Sequence, residues 1–219
     1  MSAPLKVTAV MCAPIAGDPP HLDSLLEHEI SCRRGMAPRI NRAESPPAAG
    51  VIPIPMLRRT IAGVPVACCS SPIFAAQSDS QEKFGKQLSV EHAGLLAESK
   101  RRKVPTTGGT FKSYHLPQRV RLVDRVVWFC FAKGRNLRKV LRDVNSIGVK
   151  RSIGYGRVAR WIVEPADEDY SWFAGSVLMR PLPACDELPN ELRGSRPDFG
   201  ACCPPYWHPD RFMELVVPC

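Results

Sequence analysis

Hydrophobic and polar positions alternate from the start of the chain. Leu5, Val7, Ala9 and Met11 fall on one side and Lys6 and Thr8 on the other, which predicts a half-buried strand over 5–12. After the turn AGDPP, Leu22, Leu25, Leu26 and Ile30 recur at helical spacing, with Asp23 and Glu27 read as the polar face. Arg33, Arg34 and Gly35 end this helix, cations suiting its C-terminal dipole and glycine a left-handed stop.

The pattern then loosens. Residues 36–55 are proline-rich, and a strand is expected within 63–70 (Val64, Val66, Cys68). Residues 71–118 read as a polar insertion, with KRRK at 100–103 and TTGGT at 106–110. RVRLVDRVVWFCFA, from Arg119, predicts one strand that becomes continuously apolar, placing Trp128, Phe129 and Phe131 in the core. Leu137, Val140, Leu141 and Val144 mark a second helix from Gly134, with Arg135, Arg138, Lys139 and Arg142 turned elsewhere. Strands follow at Val158–Glu164 and Trp172–Arg180, then a proline-rich tail with PPYW and a last apolar stretch, Phe212–Val217. This order reduces to β-α-β-β-α-β, an α+β ferredoxin-like (RRM-like) core. The expected organisation is one domain over 1–219: core 4–70 and 119–180, insertion 71–118, and a strand-bearing extension at 181–219.

Charge sharpens the picture. The 219 residues carry 30 lysines and arginines against 21 acids, a formal +9, and the excess is concentrated. Residues 100–160 hold 17 bases and two acids, Asp124 and Asp143. A field that steep points to a polyanion, nucleic acid foremost; a solvated mixed surface would intersperse acids. No apolar run approaches the ~18 residues of a membrane span, and the start is poor signal-peptide material, so a cytoplasmic protein is expected. Nine cysteines include the adjacent pairs Cys68-Cys69 and Cys202-Cys203 and no CxxC spacing. Reduced, buried thiols are expected, with no metal and no cofactor; His208 near Cys202 and Cys203 is the one hint of a metal site.

The segment richest in chemistry is GVKRSIGYGR, Gly148–Arg157, between the second helix and a strand. Its glycines let the backbone approach a partner, its cations suit phosphates, and Tyr155 offers a ring for a splayed base. The dinucleotide spacing GxGxxG and the phosphate-loop motif are both absent. The bland alternative is a tight helix-to-strand turn with incidental cations.

A glycine-rich loop before the last strand of a ferredoxin-like core resembles the repeat-associated RAMP superfamily of CRISPR effector subunits. More narrowly, the chain resembles the type IV, Cas five-like subunit that caps the 5′ handle of the guide RNA. The residues that carry the likeness are APIAGDPPHLDSLLEHEI, IGVKRSIGYGRVARWIVE, SWFAGSVLMRPLP and PPYW. The resemblance implies a non-catalytic role in a prokaryotic ribonucleoprotein, beside backbone and large subunits. With that large neighbour, such a subunit can help sense the short motif (PAM) flanking target DNA. CRISPR RNA would be held by Lys150, Arg151, Ser152, Tyr155, Arg157 and Arg119. Lys100, Arg101, Arg102 and Lys103 would form a thumb towards RNA or duplex DNA.

Some superfamily relatives cleave precursor RNA without metal, which makes a metal-independent endoribonuclease the alternative. His21 and His115 would be its catalytic candidates, with Tyr114 and Lys150 nearby in role. A partner-only scaffold, its basic face against an acidic protein, is a third reading.

Overall fold

The computed structural model describes residues 1–35, 50–89, 91, 106–108, 112–189 and 192–219. The first strand, β1 (Ala3–Met11), is followed by the short β2 (Ile15–Ala16) and by α1 (Leu22–Arg33). Next come the hairpin β3 (Arg58–Ile61) and β4 (Val64–Ala67), then β5 (Ala76–Lys86) and β6 (Tyr114–Val123). A central strand β7 (Arg125–Ala132) leads into α2 (Gly134–Leu141) and β8 (Val158–Pro165). A small hairpin, β9 (Phe173–Ala174) and β10 (Val177–Leu178), precedes β11 (Leu182–Pro183), β12 (Ser195–Ala201) and β13 (Phe212–Pro218).

The core sheet runs β7-β1-β8, all antiparallel, with Val7 opposite both Trp128 and Val163. Residues 69–73 run along the free edge of β7 through single bridges, Cys69 to Cys130 and Ile73 to Val127. With that edge segment counted, the order is compatible with the expected ferredoxin-like core. The edge is irregular because isolated bridges, rather than a ladder, hold it. Leu22, Leu25 and Leu26 of α1 and Leu137, Val140 and Leu141 of α2 close over Val7, Ala9 and Trp128 in one apolar cluster. Trp128 is fully buried, and its indole N–H donates to the Pro20 carbonyl at 3.2 Å.

A second apolar cluster joins the β3–β4 hairpin to the C-terminal sheet β11-β13-β12 through Val66, Cys68, Leu178, Leu182 and Leu215. Arg180 ties the two clusters. It is fully buried and donates to the carbonyls of Ala67 (2.6 Å), Cys69 (3.0 Å) and Cys202 (2.7 Å), and to Asp23 (3.2 Å). The Tyr206 hydroxyl completes the knot by donating to Asp23 Oδ1 at 3.0 Å. A buried charge is tolerable only when it is paired and hydrogen-bonded, and here both terminal nitrogens are engaged while Nε has no partner.

Several sequence expectations change. Asp23 and Glu27 are buried rather than solvated, because Arg180 and Arg58 reach them from distant segments. The strand expected at 63–70 is half of a hairpin turned at Ala62 and Gly63, both with positive φ (49° and 76°). The single strand expected from Arg119 is two, separated at Asp124, whose carbonyl accepts from Met11 N–H at 2.8 Å. Trp172–Arg180 is a short hairpin about Gly175 (φ 60°) rather than one strand. The segment read as a polar insertion opens with the sheet-edge residues and an eleven-residue strand, β5, paired along β6 as an exposed ribbon. Among the described residues, no helix is long and apolar enough to cross a membrane.

Candidate nucleic-acid interface

The glycine loop is clamped at its root and open at its tip. Gly148 (φ +83°) lies so close to β2 that a Cβ there would stand 2.8 Å from the Ala16 carbonyl oxygen. At Gly156 (φ +67°) a Cβ would fall 1.8 Å from the Ile147 carbonyl oxygen. Only glycine fits either place. Backbone hydrogen bonds lock the root: Val149 N–H to Ala16 (3.0 Å), Gly156 N–H to Pro14 (2.7 Å) and Ile147 N–H to Gly156 (2.9 Å). Lys150 then adopts a left-handed conformation (φ 60°), and a 3-10 turn over Arg151–Ile153 pushes Arg151, Ser152 and Ile153 into solvent. The sequence thus builds a fixed frame with a charged, exposed tip.

The loop packs beside the β5–β6 ribbon. Lys150 Nζ sits 5.2 Å from the centre of the Phe84 ring, and Tyr155 meets the same ring edge-on at 5.4 Å. The Tyr155 hydroxyl donates to Glu82 Oε2 at 2.5 Å, a bond that holds the phenol above its usual pKa. Arg151 Nη2 lies 3.4 Å from His28 Nε2 of α1. Arg157 is exposed, and its carbonyl accepts from Cys12 N–H at 2.9 Å. Lys150, Arg151, Ser152, Tyr155 and Arg157 are therefore gathered at one end of the core sheet.

Arg119 sits differently. Its Nε is 2.8 Å from each Asp79 oxygen, while Arg121 pairs with Asp18 (2.6 Å) and Asp79 (3.3 Å). These acids come from outside the basic segment, so part of its charge is neutralised across strands. Linear counting missed them because β5 reads as a polar run; the cross-strand pairing of β5 with β6 brings Asp79 opposite Arg121. Lys100, Arg101, Arg102 and Lys103 lie outside the described residues.

The two candidate catalytic histidines, His21 and His115, occupy unlike environments. His21 stacks on Tyr206 with centroids 5.0 Å apart, and its buried Nδ1 has no hydrogen-bond partner. Burial, then the nearby Arg180 cation, lowers its pKa to about 4. His115 stands exposed on the ribbon, opposite Gly85. His208 is buried and accepts from Asp210 N–H at 3.2 Å as the cap of a short turn. All nine cysteines are free thiols, and burial pushes Cys69 up to about 12. Among the described residues, no group of three or more histidine, cysteine or acidic side chains is gathered to hold a metal ion.

The ribbon, the loop and the C-terminal sheet all fall within residues 70–218, which match the family described as CRISPR type IV associated protein Csf3. The chain belongs to this family. It is therefore a type IV CRISPR-associated subunit. The match starts at the sheet edge before β5 and covers the glycine loop, Arg180 and the C-terminal sheet, while Asp23, Ala67 and Cys69, which Arg180 reaches, precede it. No curated protein matches the chain.

Proposed function

We propose that the chain is the RNA-binding, non-catalytic subunit of a type IV effector ribonucleoprotein in the prokaryotic cytoplasm. In this reading it is a RAMP-type, Cas five-like protein that caps the 5′ handle of the CRISPR RNA. Backbone and large subunits flank it, and with the latter it helps sense the PAM on duplex DNA. The observation that carries the reading is the clamped loop: a frame fixed by Gly148 and Gly156 that presents Lys150, Arg151, Ser152 and Arg157 together. A preorganised cationic tip binds phosphates without first being ordered, so less affinity is lost on binding. Tyr155 and Phe84 add aromatic surface beside it, which suits unstacked bases.

Binding rather than cleavage fits His21. A ring held neutral down to about pH 4 takes up protons weakly at neutral pH, and His21 faces Tyr206 and Arg180 rather than the loop tip.

Replacing Lys150 and Arg151 together by alanine tests the assignment. Complex assembly should weaken, and the salt slope of RNA binding should fall by about 1.4, at ~0.7 per lost phosphate contact on a single strand. Unchanged assembly with an unchanged slope would remove the loop from the interface.

A further inference from the structure

The loop does not hold all of the available positive charge. On the other side of its root, α2 and β8 enclose a cleft of about 380 Å³ lined by Arg138, Arg142, Arg160, Val144, Val158 and Trp161 among others. That volume lies within the ~300–1,000 Å³ of small-ligand sites. No acid lines the cleft or the adjoining groove over Arg135 and Lys139. The Asp143 carboxylate, next to Arg142 in the chain, lies 3.5 Å from Arg142 Nε and is engaged by Arg33 at 2.7 Å. A merely solvated helix face would carry acids one turn from its bases, and α2, GRNLRKVL, has none.

The floor and rim of the cleft are built rather than loose. Trp161 donates its indole N–H to the Val144 carbonyl at 2.8 Å and packs on Trp128 at 5.9 Å, which fixes its ring. Arg138 Nη2 donates to the Val163 carbonyl at 2.7 Å, which holds that guanidinium at the rim. Arg142 and Arg160 remain exposed. An apolar, partly aromatic floor under an arginine rim accepts a flat base below and a phosphate above. Duplex phosphates would use the rim alone, since paired bases cannot drop to the floor.

The cleft also adjoins the loop. Val158 N–H donates to the Asn145 carbonyl at 2.9 Å, and Ser146 bridges Arg157, so the cleft walls are the two stems of the loop. Arg160 of the cleft follows Arg157 of the loop by three residues along the chain.

We propose that the α2–β8 cleft is a single-nucleotide site, which takes an unstacked base on Val144, Val158 and Trp161 and its phosphate against Arg142 and Arg160. It would hold a nucleotide adjacent to those at the loop. The proposal rests on the reading of the chain as an RNA-binding subunit, but on residues that reading does not use.

The test uses the full chain and a single-stranded oligouridylate of about 12 nucleotides. Ultraviolet crosslinking with peptide mapping should attach uridine to the peptide bearing Trp161 as well as to 149–157. R142A/R160A should weaken binding about tenfold and lower the salt slope by about 0.7, one phosphate being lost, with an unchanged circular dichroism spectrum. If K150A/R151A weakens binding while R142A/R160A stays within twofold and crosslinks stop at 149–157, the cleft is overturned and the loop stands. A wild-type chain that binds no oligouridylate overturns both. Binding of poly-glutamate in its place would assign the cleft to an acidic protein and likewise overturn the nucleotide site.

Discussion

The two helices pack into the same apolar cluster, and Arg33, the last residue of α1, donates to the Val140 carbonyl of α2 at 2.9 Å. They handle charge in opposite ways. In α1, Asp23 and Glu27 point inward, where Arg180 and Arg58 neutralise them from far along the chain. In α2 the inward face is wholly apolar, and Arg135, Arg138 and Lys139, with Arg142 just past its end, point outward without an acid in the helix. Charge in α1 therefore serves the fold, holding the core sheet to the C-terminal sheet. Charge in α2 adds no such tie and is available to a ligand. A charged residue's role depends on which partner arrives, and only the structure supplies the partner.

The sharpest way to break this contrast is Asp23→Ala. It strands the Arg180 cation in the interior, and such removals cost about 3–5 kcal/mol. Denaturant titration should show that loss, or the chain should fail to accumulate folded; a midpoint close to wild type would mean the knot is not structural.

Acidity provides the next test, about 3 kcal/mol for each group. His21 titrates near 4 rather than 6.5 in the fold, so its contribution is complete above pH 6.5 and is lost as pH falls towards 4. Glu27 is pushed by burial from 4.5 to about 7, against the pull of Arg58, so its contribution is complete below pH 4.5 and is lost as pH rises through 7. The two slopes oppose each other in the wild type. Stability profiles should separate them: H21F should gain stability on acidification, E27Q should lose it, and parallel profiles would contradict both burials.

Gly156→Ala, at the far stem of the loop, should cost about 1–3 kcal/mol by thermal melting, because a side chain there meets backbone rather than a movable group. The smallest effect belongs to α2. Alanine at Arg135 or Lys139 should leave the unfolding free energy almost unmoved, within about 0.5 kcal/mol, while RNA affinity falls. A large stability loss there would erase the difference between the helices.

How much of this was legible follows the same division. Leu137, Val140 and Leu141 repeat at helical spacing among bases with no acid between them, so α2 could be read directly, as could β1 from Leu5, Val7 and Ala9. The glycine loop was legible from its glycines, although Gly148 and Gly156 serve the close approach of the chain's own backbone at Ala16 and Ile147 rather than that of a partner. Asp23 was not, since a buried acid and a solvated one look alike until Arg180 appears 157 residues away. Nor was β5: AQSDSQEKFGK is exposed almost throughout, so it has no apolar alternation, and its backbone pairing with β6 makes it a strand. Asp79 and Glu82 were hidden with it, and with them the partial neutralisation of Arg119 and the anchoring of Tyr155.

The central claim, that this type IV CRISPR-associated subunit grips guide RNA at its clamped loop, is tested most directly by the RNA it carries. The tagged chain would be purified from cells bearing its neighbouring genes, and the bound nucleic acid extracted and sequenced. The account predicts RNA of discrete length with one defined 5′ end, accompanied by several protein subunits and lost in K150A/R151A. Protein free of RNA, or bound only to random fragments, would contradict it.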